Sequence, residues 1–162
     1  NNEFMYKFIA DKVGSFDTGT LYAADVVNGI WLPLTLDNPK LKFKVLNLGV
    51  TEPTAAIISA ALALEGYSVW FYSMINFVTF RVHEQIRNAI CMHKAPVKII
   101  GVKGSEKYRF LGFSHNLLTE REEFDWLRKL PGMKCYLPKT SKEVREAVLK
   151  SYQDKNPAYI RL

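Results

Sequence analysis

Few residues of this chain could carry chemistry, and the first of them is a single glutamate. Glu52 follows an apolar run, Val45 to Val50, and precedes Pro53 and a run of small and aliphatic residues that ends at Leu64. Proline is favoured in the first turn of a helix, so this pattern predicts that Glu52 lies where a buried strand meets a buried helix. A carboxylate there can complement the helix dipole, or it can bind a ligand, because ligands bind at the carboxyl edge of open α/β sheets.

Asp25 and His115 are expected at the same edge. Asp25 ends the first predicted strand, and His115 lies in a loop after the fourth, where functional residues concentrate. The other histidines, His83 and His93, fall on or beside a predicted helix. We interpret them as surface or packing residues, because the three histidines are not at metal-ligand spacing.

A stretch rich in aromatic residues follows the third predicted strand. It contains Met74, Phe77 and Phe80. Aromatic residues at helical spacing usually pack in a core, but these begin a helix at the predicted sheet edge, next to Glu52. An aromatic slot beside one carboxylate suits a flat heteroaromatic ring with a protonatable nitrogen.

Several other function classes are disfavoured by what the sequence lacks. It has no G-x-G-x-x-G, no G-x-x-x-x-G-K-[ST] and no G-x-S-x-G motif. Its net charge of +6 is scattered rather than clustered, so we expect no nucleic-acid partner. Apolar runs are too short for a membrane span, and Cys91 and Cys135 have no partner spacing. We therefore expect a soluble, cytoplasmic protein.

The elements that must position these residues alternate between strand and helix, and each helix has a start or stop signal. Alternation predicts a single α/β domain, with three α/β/α layers and a mainly parallel sheet of roughly six strands. The strands are predicted at residues 20–24, 45–48, 69–72, 97–102, 134–137 and 158–161, and the helices at 53–64, 75–92, 119–130 and 140–153.

All four of these helices carry more detailed predictions. Helix 53–64 is apolar on nearly every side, so it should be buried. Helix 75–92 should be continuous and turn Phe77, Phe80, Val82 and Ile86 inward, with Arg81, Glu84 and Arg87 outward. Capping boxes are predicted for the last two helices, from Thr119 with Glu122 and from Thr140 with Glu143.

The order and spacing of six short motifs resemble the pyrimidine-binding domain of the transketolase family of thiamine diphosphate enzymes, as in the small chain of split transketolases. The resemblance runs from about Leu21 to the end of the chain. The motifs are Gly49-Val-Thr-Glu52, Asn76-Phe-Val, Glu84-Gln-Ile-Arg-Asn88, Gly112-Phe-Ser-His115, Leu130-Pro-Gly-Met and Ala158-Tyr-Ile-Arg161.

The resemblance implies roles for the candidate residues around the cofactor ring. Glu52 would hydrogen-bond the aminopyrimidine and favour the tautomer that makes the cofactor's ylid. Phe77 would stack on the ring, with Met74 and Phe80 lining the slot. Asp25 would lie near the thiazolium.

The substrate side of the site follows from the same resemblance. His115 would hydrogen-bond a substrate oxygen. Phe113 and Asn116 depart from the residues that transketolases carry beside this histidine, so the resemblance does not name the sugar.

The resemblance also implies a partner chain. The family binds the cofactor's diphosphate, and Mg²⁺ or Ca²⁺ through it, with a Gly-Asp-Gly…Asn motif that this sequence lacks. We expect residues 1–20 to be a docking segment and residues 21–162 to be the pyrimidine-binding domain. A diphosphate-binding domain and a C-terminal transketolase domain are both absent from this sequence. A hetero-oligomer, such as a heterotetramer with a diphosphate-binding subunit, is the expected assembly.

The resulting hypothesis is half of an enzyme that transfers a two-carbon ketol unit between sugars or sugar phosphates. One alternative is a subunit of a thiamine diphosphate enzyme that uses a 2-keto acid, such as a deoxyxylulose-phosphate synthase or a decarboxylase. Another is a relative that binds a partner without turnover, although such a relative has no reason to keep both Glu52 and Phe77. A generic nucleotide-binding module is disfavoured because the Gly-rich loop is missing.

Overall fold

One parallel sheet organises the part of the chain that the computed structural model describes, which comprises residues 20–24, 43–46, 48, 50–103 and 106–162. Its order is β2-β1-β3-β4-β6-β5, and each neighbouring pair is parallel. The predicted parallel α/β fold is confirmed. The strands are β1 Thr20–Ala24, β2 Phe43–Leu46, β3 Trp70–Met74, β4 Lys98–Val102, β5 Lys134–Tyr136 and β6 Ala158–Arg161.

The helices predicted at 53–64 and 140–153 are confirmed, whereas those predicted at 75–92 and 119–130 are broken or shorter. The α-helices are α1 Glu52–Leu64, α2 Ile75–Val78, α3 His83–Gln85, α4 Glu122–Leu127 and α5 Ser141–Gln153. Two 3₁₀ segments, Phe80–Val82 and Glu106–Ser114, and a π-helical segment, Ile86–Cys91, complete the set. None of the described helices is long and apolar enough to cross a membrane.

Both faces of the sheet are covered. Successive side chains of a strand point to opposite faces, so each strand contributes residues to both sides. One face packs against α1 and the π-helical segment, and the other packs against α5. The strand residues of the first face include Phe71, Ile99 and Tyr159, and those of the second include Trp70, Ile100 and Ile160. Strands buried on both faces explain the continuous apolar runs in the sequence.

Helix α1 is buried only on the side that carries its small residues. Ala56 and Ala60 are buried in the core, whereas Ile57 and Leu64 are each 52% exposed. The prediction that this helix is buried on nearly every side is therefore wrong. The small side chains let the helix backbone lie close to the sheet, while Ile58 and Leu62 pack against the edge of the core.

The long helix predicted at 75–92 is broken after its first turn. Thr79 has φ −126° and ψ −80°, and its hydroxyl donates to the carbonyl of Ile75 at 2.6 Å. A threonine that bonds back to the preceding turn competes with the helical pattern. Phe80, predicted to point inward, is 40% exposed, whereas Val82 and Ile86 are buried as predicted.

One of the two predicted capping boxes is present. The N–H of Glu143 donates to the hydroxyl of Thr140 at 3.2 Å, which confirms the cap of α5. The prediction for α4 is wrong, because that helix begins at Glu122 and has no side-chain cap. Thr119 therefore lies too far before the first helical residue to cap the helix. The Glu122 carboxylate instead accepts from the N–H of Leu118 at 2.7 Å.

Gly101 lets three elements meet at the centre of the sheet. A Cβ at this position would lie 2.8 Å from the Tyr159 hydroxyl and 3.2 Å from Cγ1 of Ile75. Because Ile75 begins α2, the missing side chain in β4 lets α2 lie directly against the sheet. This close approach positions the segment that carries Phe77.

Candidate functional site

Glu52 lies where the sequence predicts, at the junction that leads into α1. It is the first residue of the helix and is only 2% exposed. The hydroxyl of Thr51 donates to the carbonyl of Leu48 at 2.8 Å, which closes the turn before the helix. A buried carboxylate is costly unless it is paired, so its partner decides what it can do.

The partner of Glu52 is Arg81. Its Nη1 donates to Oε1 of Glu52 at 2.5 Å, and its guanidinium carbon lies 3.9 Å from the centroid of the Phe77 ring. Arg81 is 40% exposed, as an outward residue should be, but its guanidinium reaches back into the site. The sequence predicts Arg81 only as an outward residue, and its contact with Phe77 spans the break at Thr79, so helical spacing does not account for it.

Phe77 connects the carboxylate to the predicted substrate residue. Its side chain is 7% exposed. Its ring centroid lies 4.9 Å from that of His115, with an interplanar angle of 73°. This edge-to-face geometry is favourable for aromatic rings. The structure therefore brings Glu52, Phe77 and His115 together, with Arg81 between the first two.

The half-buried imidazole of His115 is oriented by its neighbour in the chain. Its Nδ1 lies 2.8 Å from the hydroxyl of Ser114, which also donates to the carbonyl of Leu111 at 3.1 Å. Ser114 therefore engages Nδ1, and Nε2 is the ring nitrogen that faces away from this contact.

Asn76 holds the histidine loop against α2. Its Nδ2 donates to the carbonyls of Phe113 at 2.8 Å and Asn116 at 3.2 Å. Within the loop, Nδ2 of Asn116 donates to the carbonyl of Gly112, whose φ of +68° suits glycine. The sequence analysis used Asn76 as part of a motif but assigned it no role.

The remaining candidates are less tightly tied to this group. Met74 is half-buried at the end of β3. The Phe80 ring lies 6.3 Å from that of Trp126, so its described neighbour lies outside the candidate group. Asp25 lies outside the described residues. The roles assigned to these three residues stay predictions.

The arrangement fits a flat ring that bears N–H donors. A buried carboxylate and the aromatic face of Phe77 lie side by side. The side-chain oxygen of Asn76, adjacent to Phe77 in the chain, is buried with no hydrogen-bond partner among the described residues. Within the same described part of the chain, no group of three His, Cys, Asp or Glu side chains could hold a metal ion.

A parallel sheet with a glutamate, an aromatic ring and an imidazole at one edge defines an α/β domain with a candidate ligand site where such sheets bind ligands. Residues 16–162 match the pyrimidine-binding domain of transketolase, and the chain belongs to that family. The resemblance inferred from the sequence motifs is confirmed.

Two curated proteins and one solved structure show the range of similarity. The chain is 31% identical over 123 residues to one subunit of an apulose-4-phosphate transketolase from Phocaeicola vulgatus, covering 76% of this chain and 38% of that protein. It is 27% identical over 122 residues to a 1-deoxy-D-xylulose-5-phosphate synthase from Caldanaerobacter subterraneus subsp. tengcongensis, covering 73% and 18%. A split-gene transketolase, described as an inactive beta4 tetramer, has a TM-score of 0.73 at 23% identity, covering 99% and 48%.

The similarity in structure establishes the fold. The chain spans less than half the length of each of these relatives. The family is therefore established over nearly all of this sequence, whereas the activity of the longer proteins is a separate question.

Proposed function

We propose that this chain is the pyrimidine-binding subunit of a split transketolase-like enzyme. With a diphosphate-binding partner chain, it would transfer a two-carbon ketol unit between sugars or sugar phosphates. The observation that supports the proposal most directly is the buried Glu52 beside the face of Phe77, in a chain of this family. The relative from Phocaeicola vulgatus is itself one subunit of a transketolase.

The cofactor of this proposal is thiamine diphosphate, which supplies a carbon nucleophile when it is bound. Glu52 would share a proton with a nitrogen of the ring, in a site shielded from bulk water. Phe77 would stack against the ring. His115 would present Nε2 to a substrate oxygen, because Nδ1 is engaged by Ser114 at 2.8 Å.

The partner would supply the other half of the cofactor site. No metal-binding group is found among the described residues, and the sequence lacks the Gly-Asp-Gly…Asn motif. We therefore assign Mg²⁺ or Ca²⁺, bound through the diphosphate, to the partner chain. A hetero-oligomer such as a heterotetramer follows from two half-sites on different chains.

A second candidate function uses a 2-keto acid as donor. It is favoured by the similarity to a 1-deoxy-D-xylulose-5-phosphate synthase, which is 27% identical over 122 residues. The residues around Glu52 serve either reaction, so the choice of donor distinguishes them. Ketose donors would be consumed by the first enzyme and pyruvate by the second.

Calorimetric titration of thiamine diphosphate with Mg²⁺ tests the proposal. The ligand is titrated into this chain alone and into its mixture with a candidate diphosphate-binding transketolase subunit from the same organism. Binding only in the mixture, followed by turnover of a ketose donor, supports the shared site. Turnover of pyruvate alone selects the second candidate, and binding without turnover of either donor identifies a partner-binding relative.

A further inference from the structure

One guanidinium group uses both surfaces that the proposed function assigns to the cofactor ring. Nη1 of Arg81 donates to Glu52 at 2.5 Å, and the guanidinium carbon lies 3.9 Å from the centroid of Phe77. A guanidinium is flat, delocalised and bears N–H donors on its edge. An aminopyrimidine is also flat, and its edge presents N–H donors through the amino group and through a ring nitrogen when that nitrogen is protonated. Both groups therefore satisfy a carboxylate and an aromatic face in the same way.

Arg81 is placed so that it can leave this position. Its side chain is 40% exposed, whereas that of Glu52 is 2% exposed. It lies in the short 3₁₀ segment Phe80–Val82, directly after the break at Thr79. Its long side chain can rotate into solvent without displacing a continuous helix, and only Glu52 and Phe77 lose a contact that the structure describes.

We propose that Arg81 is an internal occupant of the ring site. In the free chain its guanidinium takes the place of the ring against Glu52 and Phe77, and it moves toward solvent when the ring binds. The buried carboxylate is then paired in both states, which avoids the cost of an unpaired buried charge. This inference rests on the proposed function, because the competing ring is that of thiamine diphosphate.

Competition between Arg81 and the ring predicts the direction in which removal of Arg81 changes the affinity for the ring. The apparent affinity for a ligand is lowered by the fraction of molecules in which the site is open. Removing Arg81 should therefore strengthen binding of the ring. If Arg81 instead stayed in place and oriented Glu52 toward the ring, its removal would weaken binding.

The first test is the affinity of the two-chain complex for thiamine diphosphate with Mg²⁺, measured by calorimetry for the wild type, Arg81→Met and Arg87→Met. Arg87 is an exposed arginine six residues further on, bonded to Asn88 at 2.7 Å, and serves as the matched control. We expect Arg81→Met to bind roughly tenfold more tightly, if the site is open in about a tenth of free wild-type molecules. Arg87→Met should match the wild type.

Arg81→Lys keeps the complex testable if the methionine variant folds poorly, because it retains a positive charge near Glu52. Lysine lacks the planar group that stacks on Phe77, so its affinity should fall between those of the wild type and Arg81→Met. Weaker binding by both Arg81 variants than by the wild type would overturn the inference and leave the proposed function intact. If no protein binds the cofactor, the proposed function fails and the inference fails with it.

A second readout needs no turnover. In ¹⁵N-arginine-labelled wild-type chain, the Nε–H signal of Arg81 is assigned by its loss in Arg81→Lys. The Phe77 ring should shift this signal upfield in the free chain, and addition of the partner with thiamine diphosphate and Mg²⁺ should remove the shift. A signal that keeps its ring-current shift when the site is saturated would show that Arg81 does not leave.

Discussion

Glu52 and Glu123 are both buried glutamates that pair with an arginine, but the two arginines differ in their freedom to move. Arg81, the partner of Glu52, is 40% exposed, whereas Arg161, the partner of Glu123, is 12% exposed. Glu123 also accepts from the hydroxyl of Tyr159 at 3.1 Å. Counting only the described residues, the Glu52 carboxylate thus has a single partner, which can move into solvent, and the Glu123 carboxylate is held by two groups within the fold.

The neighbours of Glu123 make it part of the scaffold. Arg161 also donates to the backbone carbonyl of Glu120 at 2.6 Å, which ties β6 to the segment before α4. Burial, together with the Glu123 carboxylate, raises the pKa of Tyr159 well above its usual value, so its hydroxyl remains a donor. A buried ion pair therefore indicates function only when one partner can be exchanged for a ligand.

The largest expected effect is a loss of activity when Glu52 is replaced, which replacement of Glu123 should not cause. Glu52→Gln should lower the activity of the two-chain complex by about a hundredfold or more, the scale of a lost proton-transfer group. It should keep cofactor binding, because the amide is the same size as the carboxylate. Steady-state kinetics and calorimetry on the same preparation test both statements. A fully active Glu52→Gln complex would assign Glu52 to the helix terminus alone.

The same substitution at Glu123 should lower the stability of the fold rather than the activity. Glu123→Gln removes a charge-assisted bond to Arg161 and should lower the free energy of unfolding by about 1.5–3 kcal/mol. Urea unfolding of the chain measures this effect, with Glu52→Gln as the matched comparison. At temperatures where it is folded, the Glu123 variant should keep its activity. Equal stability losses in the two variants would remove the distinction between a scaffold pair and an exchangeable pair.

Phe77→Ala tests the aromatic side of the functional pair. Loss of stacking should weaken cofactor binding by about 1–3 kcal/mol, the range found when other flat rings lose an aromatic partner. Phe77→Leu, which keeps most of the buried volume, separates stacking from packing. If cofactor binding is unchanged in both variants while stability falls, Phe77 belongs to the core.

His115 should affect the substrate more than the cofactor. Its Nε2 is the ring nitrogen that Ser114 does not engage, so His115→Ala should raise KM for the sugar by roughly tenfold, the cost of one neutral hydrogen bond. Cofactor affinity should change less, although the edge contact with Phe77 is lost. His93→Ala, at an exposed histidine bonded to the Asn88 carbonyl, is the control. A larger effect on cofactor affinity than on KM would exclude a substrate role.

The sequence predicted the sheet well because β3, β4 and β6 each contain an apolar run, and Pro96, Pro138 and Pro157 mark strand ends. It also predicted the position of Glu52, since a Pro beside an acidic residue marks a helix start. The break at Thr79 was missed, because one back-bonded threonine outweighed an amphipathic pattern that favoured a longer helix. The Glu52–Arg81 pair joins residues 29 apart, and no local pattern reports such a contact.

The smallest expected effect concerns Lys98. Like Glu123, it is a buried charged residue that is held within the fold, but its charge is positive. It is 4% exposed, and its Nζ donates to the carbonyls of Asp154 and Asn156, each at 2.7 Å. Burial lowers its pKa from 10.5 to about 8, although nearby Asp154 raises it. Between these values the unfolded chain binds more protons than the folded one, so the contribution of Lys98 to stability rises with pH.

Lys98→Met isolates this contribution. Burial raises the pKa of Cys91 to about 11, and that of Cys135 rises to about 12, so both cysteines also link stability to pH. They titrate in both proteins and cancel in the difference. The stability of the wild type relative to Lys98→Met should therefore rise by about 1 kcal/mol from pH 8 to pH 9. Urea unfolding at the two pH values measures it, and a constant difference would mean that Lys98 keeps the ordinary pKa of an exposed lysine.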